Sequence, residues 1–136
     1  MKRLFYWIDI VSFLAFAALL SLYGRRGLRF TAGMTTAAVA FAFWLTARFQ
    51  LGGSFSVSPQ AKELVTTGLY SKLRNPIYLF GQLAFLGLAI AWGHPIGLLY
   101  VALACPFQFL RIRKEEAVLE RAFGERYRAY KARTWF

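Results

Sequence analysis

The sequence contains one cysteine, one histidine and six acidic residues in a chain of 136, and these scarcities exclude several kinds of site. Cys105 stands alone in an apolar segment, so the chain has no disulfide, no Cys-x-x-Cys pair and no thiolate metal site. His94 stands between Gly93 and Pro95, so a multi-histidine metal centre is excluded and a Ser-His-Asp triad would have to be built on a tight turn. We therefore expect neither a metal site nor a hydrolase triad.

Apolar residues, in contrast, are abundant. They make up 58% of the chain and the mean hydropathy is +0.44, which is too apolar for an ordinary soluble domain. Lysine and arginine number 17, but most of them flank apolar segments, where basic side chains meet anionic headgroups. The composition predicts a membrane protein whose partners are lipids, and it argues against a nucleic-acid partner.

Four apolar segments predict an all-α integral membrane protein, with a single domain over residues 1–136 and transmembrane helices at about residues 4–23, 30–49, 76–92 and 96–112. The first segment has a basic start, as a signal peptide has. It is nevertheless long enough to cross roughly 30 Å of hydrocarbon and ends in two arginines, which favours a span over a cleaved signal. Small residues in the second segment predict close helix packing: Ala37, Ala38, Ala40 and Ala42.

A polar loop over residues 60–75 separates the second and third spans. Its first residues, 60–63, are predicted to form a short interfacial turn. The Asn75-Pro76 pair predicts a helix start, because Asn is a good N-cap and Pro suits the first helical position. The turn Gly93-His94-Pro95 makes the last two spans an antiparallel hairpin.

The tail, residues 113–136, is highly charged, with apolar and aromatic residues at helical spacing on one face: Leu119, Phe123, Tyr127 and Tyr130. We predict short amphipathic C-terminal helices with an elbow at Gly124. Basic residues near the span ends place the N-terminus, the polar loop and the tail on the cytosolic side. Arg25, Arg26 and Arg29 then fall on the opposite side, in conflict with that rule.

The loop and the tail each carry a motif. The first reads Leu64-Val65-x-x-Gly68-x-Tyr70-x-x-x-Arg74-Asn75-Pro76-x-Tyr78, and the second, after the hairpin, contains Glu115-Glu116, Phe123-Gly124, Tyr127, Tyr130 and Arg133. In this order and separation the two motifs resemble the isoprenylcysteine carboxyl methyltransferase family with its bacterial and phospholipid methyltransferase relatives. The resemblance covers roughly the last 75 residues.

The resemblance implies S-adenosylmethionine as methyl donor, bound on the cytosolic side between the loop and the C-terminal helices. It also implies a lipid-like acceptor, either a prenylcysteine-type carboxylate or a phospholipid or isoprenoid group, and a multi-pass protein of the bacterial plasma membrane. The residues that it assigns to donor binding are Leu64, Val65, Gly68, Tyr70, Arg74, Asn75, Pro76, Tyr78, Glu115, Glu116, Tyr127 and Tyr130.

Two residues are predicted to act in catalysis. Arg133 is placed to orient the carboxylate or phosphate of an acceptor, and Glu116, or Glu115, to accept the proton that an amine acceptor must lose. Because adjacent helical residues point in different directions, at most one of the two glutamates is expected to face the pocket. The commonest family form has His where this chain has Asn75, so a general base at that position is doubtful here.

Other interpretations remain open. Glu115 and Glu116 are also explained by a solvated helix face paired with Arg111, Arg113 or Lys114, and Tyr70 and Tyr78 by an interfacial aromatic belt. The C-terminal halves of nicotinamide-dependent membrane sterol reductases look similar, although those proteins are longer. A third possibility is a non-enzymatic protein that holds lipids with its basic tail.

Overall fold

The structure is a computed structural model that describes residues 2–52 and 64–136, with side chains from residue 10 onward in the first range. The described residues form five α-helices and a 3₁₀ turn, with no strand: α1 (Lys2–Tyr23), α2 (Leu28–Leu51), the 3₁₀ turn (Gly68–Ser71), α3 (Pro76–Trp92), α4 (Pro95–Phe123) and α5 (Glu125–Arg133). The predicted all-α class is confirmed. The predicted turn at residues 60–63 lies outside the described ranges.

Two of the described helices, α2 and α4, are long and apolar enough to cross a membrane. The apolar part of α1, Ile10–Tyr23, and α3, Pro76–Trp92, are shorter apolar helices. Length and composition therefore identify two of the four predicted spans, and full crossing by α1 and α3 stays a prediction.

The closest helix pair is α2 against α3, and small residues bring their backbones together. Gly33 and Gly87 are both buried, and a Cβ on Gly87 would lie 2.5 Å from the backbone nitrogen of Ala37. Such contact without side chains between the backbones is the usual way in which helices associate in lipid. The prediction is right for Ala37 and Ala40, which are buried.

The other two alanines of that prediction, Ala38 and Ala42, are exposed. The buried face of α2 is the stripe Gly33, Ala37, Ala40, Trp44 and Ala47, whose steps of three and four residues follow the helical period. Ala38 and Ala42 fall between those steps, so they cannot lie on the same face. The alanine content of α2 predicted close helix packing, but the helical period determines which of its alanines are buried.

The predicted hairpin is present. Gly93 ends α3 in the left-handed conformation, with φ 68° and ψ 18°, and its N–H bonds back to Ala89. His94 is the N-cap of α4 and its Nδ1 accepts from the Ile96 backbone N–H at 3.3 Å. The only histidine of the sequence thus performs a capping function at this turn.

The hairpin's second helix does not end near residue 112. Helix α4 continues through the charged residues to Phe123, so the first of the two predicted short tail helices is the end of α4. Arg, Lys, Glu and Ala are all good helix formers and nothing in this stretch breaks the pattern. The predicted elbow at Gly124 is confirmed, with φ 50° and ψ −123° between α4 and α5.

Candidate functional site

The polar loop and the tail meet through a small buried core. Leu64 packs with Tyr127 and Tyr130, and the half-buried Leu119 and Phe123 lie against them. The Tyr130 hydroxyl donates to the Tyr70 backbone carbonyl at 2.8 Å. These predicted site residues therefore lie together, and in this structure the side chains of Leu64, Tyr127 and Tyr130 are used for packing. An interfacial belt role does not fit Tyr70, which is 6% exposed.

Burial also sets the ionisation of these phenols. Removal from water raises the pKa of Tyr70 and Tyr127 well above the usual value and raises the pKa of Tyr130 to about 12. All three therefore remain protonated at neutral pH. The Tyr130 hydroxyl keeps its role as donor to the loop.

The last residues of the tail lie along the loop. The Trp135 N–H donates to the Lys72 carbonyl at 2.7 Å, and the Phe136 oxygen accepts from the N–H groups of Arg74 and Asn75, both at 2.9 Å. The tail therefore occupies the N–H groups of Arg74 and Asn75, just before the first turn of α3, and neither is available to an anionic ligand in this structure.

The start of α3 is as predicted in position but not in its cap. Asn75 is the N-cap and Pro76 the first helical residue, fully buried. The Asn75 side chain makes no capping hydrogen bond, since its backbone (φ −126°, ψ 50°) is outside the extended region from which a cap reaches the first amides. The Asn75 side chain is therefore not occupied by capping.

The adjacent glutamates point to different partners, as predicted. Glu115 Oε1 accepts from the Tyr78 hydroxyl at 2.5 Å and from Arg111 Nε at 3.2 Å. Glu116 lies between two cations, 3.5 Å from Arg74 Nε and 3.1 Å from Lys131 Nζ. Pairing with Arg111 fits the simpler interpretation, but Tyr78 reaches Glu115 from another helix, so Glu115 does not lie on an independent solvated face.

Two cavities adjoin this cluster. The α3–α4 cavity, of about 480 Å³, is lined by Tyr78, Leu79, Gln82, Ala102, Cys105, Pro106, Gln108, Phe109, Ile112 and Phe136. The aromatic cavity, of about 220 Å³, is lined by Phe13, Phe41, Trp44, Arg48, Ile77, Tyr78, Gly81, Ala84, Phe85, Gln108 and Arg111. Tyr78 and Gln108 line both, so the two cavities adjoin at these side chains.

The remaining predicted residues are more peripheral. Val65 is half-buried, and Arg133 is exposed at the end of α5, where its charge acts on Tyr130. Gly68 has φ 61°, and a Cβ there would overlap the Gln50 side chain, whose Oε1 accepts from the Leu69 N–H at 2.7 Å. Gly68 is thus required both by its conformation and by the close approach of Gln50.

Sequence analysis missed two polar residues at the site, Gln50 and Gln108. The available signal for Gln108 was a polar side chain inside an apolar segment, at a helical spacing that places it on the same face as Arg111 and Glu115. Gln50 gave no such signal, because it stands at the end of its apolar segment. Among the described residues there is no group of three or more His, Cys, Asp or Glu that could hold a metal ion.

Two of the described helices are suited to a membrane by length and composition, and a polar loop lies against a helical tail. The family model described as phospholipid methyltransferase matches residues 28–126, from the start of α2 to the start of α5. The chain therefore belongs to the phospholipid methyltransferase family, and membership implies a membrane methyltransferase that acts on lipids. A search of curated proteins found no match.

Proposed function

We propose that this protein transfers a methyl group from S-adenosylmethionine to a lipid acceptor beside Tyr78 and Glu115. The observation that carries the proposal is the hydrogen bond from Tyr78 to Glu115, at the point where the α3–α4 cavity and the aromatic cavity adjoin. A transferase needs two binding sites that meet at one place. The two cavities share Tyr78 and Gln108 as lining residues, so ligands in them would meet at these side chains.

The residues around the α3–α4 cavity are compatible with the donor. Its volume of about 480 Å³ is in the range of ligand pockets, and an apolar lining with a few polar groups is typical of such sites. Glu115 lines neither cavity, but it is bonded to Tyr78, which lines both, and its negative charge favours a sulfonium nearby. Arg74 lies outside both linings and is ion-paired with Glu116.

Bound S-adenosylmethionine supplies an activated methyl group on a sulfonium, which becomes a neutral thioether when the acceptor's electron pair forms the new bond to carbon. The protein then has to position the acceptor and exclude water. Tyr78 and Gln108 line both cavities and can align the acceptor. Glu115 offsets the positive charge, and its bond from Tyr78 holds the carboxylate in place.

The acceptor decides whether a base is needed. A carboxylate acceptor attacks without losing a proton, whereas an amine must release one. We assign that proton to Glu115 in preference to Glu116, because Glu115 is bonded to Tyr78, which lines both cavities, whereas Glu116 lies between Arg74 and Lys131. The predicted role of Arg133 in orienting the acceptor remains a prediction.

We further propose four spans, with the loop and the tail on the cytosolic side of a bacterial plasma membrane.

The test is methyl transfer by the purified full chain from methyl-labelled S-adenosylmethionine into bacterial lipid extract. We expect label in the lipid fraction and a loss of at least tenfold for Glu115→Gln. Glu125→Gln is the matched control, since Glu125 is exposed and pairs only with Arg128 among the described residues. Tight binding of a reduced nicotinamide dinucleotide, without donor binding or transfer, would support the reductase interpretation and contradict ours.

A further inference from the structure

Residues 134–136, which we call the strap, follow α5 and run beside the loop. Leu73 and Trp135 form a parallel bridge, and the Trp135 N–H donates to the Lys72 carbonyl at 2.7 Å. The Phe136 oxygen accepts from two further N–H groups of the loop, both at 2.9 Å. The strap is thus attached to the loop by main-chain hydrogen bonds, which do not depend on its side chains.

The Phe136 side chain is part of the wall of the α3–α4 cavity. Among the described residues, every other member of that lining belongs to α3 or α4, so the strap supplies the one part of the wall that neither helix holds. The Phe136 oxygen is bonded to the N–H of Asn75, directly before α3 begins at Pro76. Phe136 therefore lies at the end of the cavity nearest the loop.

The wall that α4 contributes reaches the surface of the protein. Four of its lining residues are exposed: Ala102, Cys105, Pro106 and Phe109. Helix α4 is long and apolar enough to cross a membrane, and these residues face hydrocarbon when it does. A charged ligand cannot approach through hydrocarbon without a large loss of hydration. Such a ligand has to enter from water, at the loop end, where Phe136 lies.

The strap is held less firmly than the helix before it. In α5, Tyr127 is 1% and Tyr130 3% exposed, and the Tyr130 hydroxyl is bonded to the Tyr70 carbonyl. In the strap, Trp135 is 78% and Phe136 44% exposed. Segments with little buried apolar surface and few hydrogen bonds open at the lowest cost in free energy. The strap can therefore leave the loop while α5 stays in place.

We propose that the strap is the gate between water and the α3–α4 cavity, and that Phe136 is the side chain that closes the cavity over its ligand. The ligand class that needs this entrance is a charged, water-soluble molecule that fits a cavity of about 480 Å³. The inference rests on the proposed function for one point, that this ligand is S-adenosylmethionine. Opening of the strap admits the ligand, and closure excludes water from the site.

The test uses Cys105 as a reporter, because it is the only cysteine in the sequence and lines the cavity. The full chain in phosphatidylcholine nanodiscs is treated with a methanethiosulfonate that carries a quaternary ammonium, and mass spectrometry follows the labelling. We expect Phe136→Ala to be labelled at least about fivefold faster than the unmodified protein, since labelling follows the population of the open form. Trp135→Ala is the matched control, because Trp135 is exposed and lies outside the cavity lining. Equal rates in the three proteins, or no labelling in any, overturn the proposal.

A second pair of variants tests the main-chain attachment. Trp135→Pro removes the N–H that donates to Lys72, whereas Trp135→Ala keeps it, so we expect faster labelling in the proline variant. Equal rates in these two variants would contradict the attachment. N-ethylmaleimide, which is neutral and enters hydrocarbon, should label all the proteins at one rate. A rise with this reagent equal to the rise with the charged one would mean that α3 and α4 have separated, and would overturn the gate.

Binding of S-adenosylhomocysteine is measured on the same proteins. We expect it to dissociate about tenfold faster from Phe136→Ala than from Trp135→Ala, since its exit no longer waits for the strap to open. If it binds, but labelling and dissociation are the same in the two variants, this inference alone is overturned. If Phe136→Ala is labelled faster but S-adenosylhomocysteine does not bind, the gate is supported and the proposed function is contradicted.

Discussion

At the residue scale, the proposed chemistry depends on the Tyr78 hydroxyl. It bonds to Glu115 at 2.5 Å while the ring lines both cavities. Loss of the hydroxyl alone would free the carboxylate to rotate or to pair more closely with Arg111. The rest of the side chain would remain in place, so positioning of the carboxylate can be tested apart from the shape of the site.

Tyr78→Phe is therefore expected to lower kcat for methyl transfer by about 10- to 100-fold, the equivalent of the 1.5–3 kcal/mol of a hydrogen bond to a charged group. The KM for the donor should change little. Steady-state kinetics with labelled donor measures both. Tyr100→Phe is the control, because Tyr100 is 60% exposed on α4, and equal losses in the two variants would contradict the role of Tyr78.

Tyr130 makes a prediction about pH. Burial raises its pKa from the usual 10.0 to about 12 against the opposing effect of Arg74 and Arg133. The neutral phenol is thus favoured in the folded state, so its contribution to stability is complete below about pH 10 and is lost as the pH rises through about 12. Thermal unfolding should show a falling midpoint over this interval.

The Tyr130→Phe variant should show a smaller fall in that interval and a lower midpoint at neutral pH, since the Tyr70 carbonyl loses its donor. Tyr23→Phe is the control, because Tyr23 is 82% exposed and should keep the full pH dependence. A pH profile of Tyr130→Phe that is identical to that of the unmodified protein would show that Tyr130 does not titrate in the folded state as described.

The identity of these residues was readable from the sequence, but their partners were not. The spacing of Tyr70, Tyr78 and the glutamates marked the site, and the divergence of Glu115 from Glu116 follows from helical geometry. The Phe136 oxygen accepts from the Arg74 and Asn75 N–H groups. This contact depends on the path of the chain after α5. A contact between segments some 60 residues apart has no local signal.

At the scale of elements, the α2–α3 contact fixes the framework that carries the loop. Its backbones approach closely because Gly33 and Gly87 have no side chains between the helices. Helix α3 begins at Pro76, directly after the loop, and carries Tyr78. A shift of α3 against α2 would therefore move Tyr78 relative to α4. The small-residue stripe therefore supports the site from a distance.

Ala37→Leu is expected to destabilise the protein by about 1–3 kcal/mol, because the added carbons must enter a tightly packed contact. Ala38→Leu is the matched control, one residue along and exposed, and should cost little. The unfolding midpoint in detergent gives the comparison. Equal effects at the two positions would mean that the α2–α3 packing described here is wrong.

The sequence anticipated the elements better than their ends. Proline and glycine signals located the start of α3, the hairpin turn and the elbow at Gly124. The continuity of α4 from Pro95 to Phe123 is not predicted, because the change from apolar to charged composition near residue 112 resembles a helix boundary. Composition marks where the surroundings of a helix change, whereas helix ends are set by caps and breakers.

At the scale of the whole molecule, we propose one methyl-transfer site where the end of the α3–α4 hairpin, the loop and the tail converge. The family match over residues 28–126 identifies the class of reaction. The hydrogen bond between Tyr78 and Glu115 and the two cavities that Tyr78 lines support the position of the site. The donor itself and the side of the membrane are proposals built on these two findings.

The most direct test is ultraviolet crosslinking of methyl-labelled S-adenosylmethionine to the full chain, with labelled peptides mapped by mass spectrometry. The account predicts label within residues 64–78 and 108–136, reduced by excess S-adenosylhomocysteine. Label confined to α1 and α2, or label that the competitor does not reduce, would contradict it.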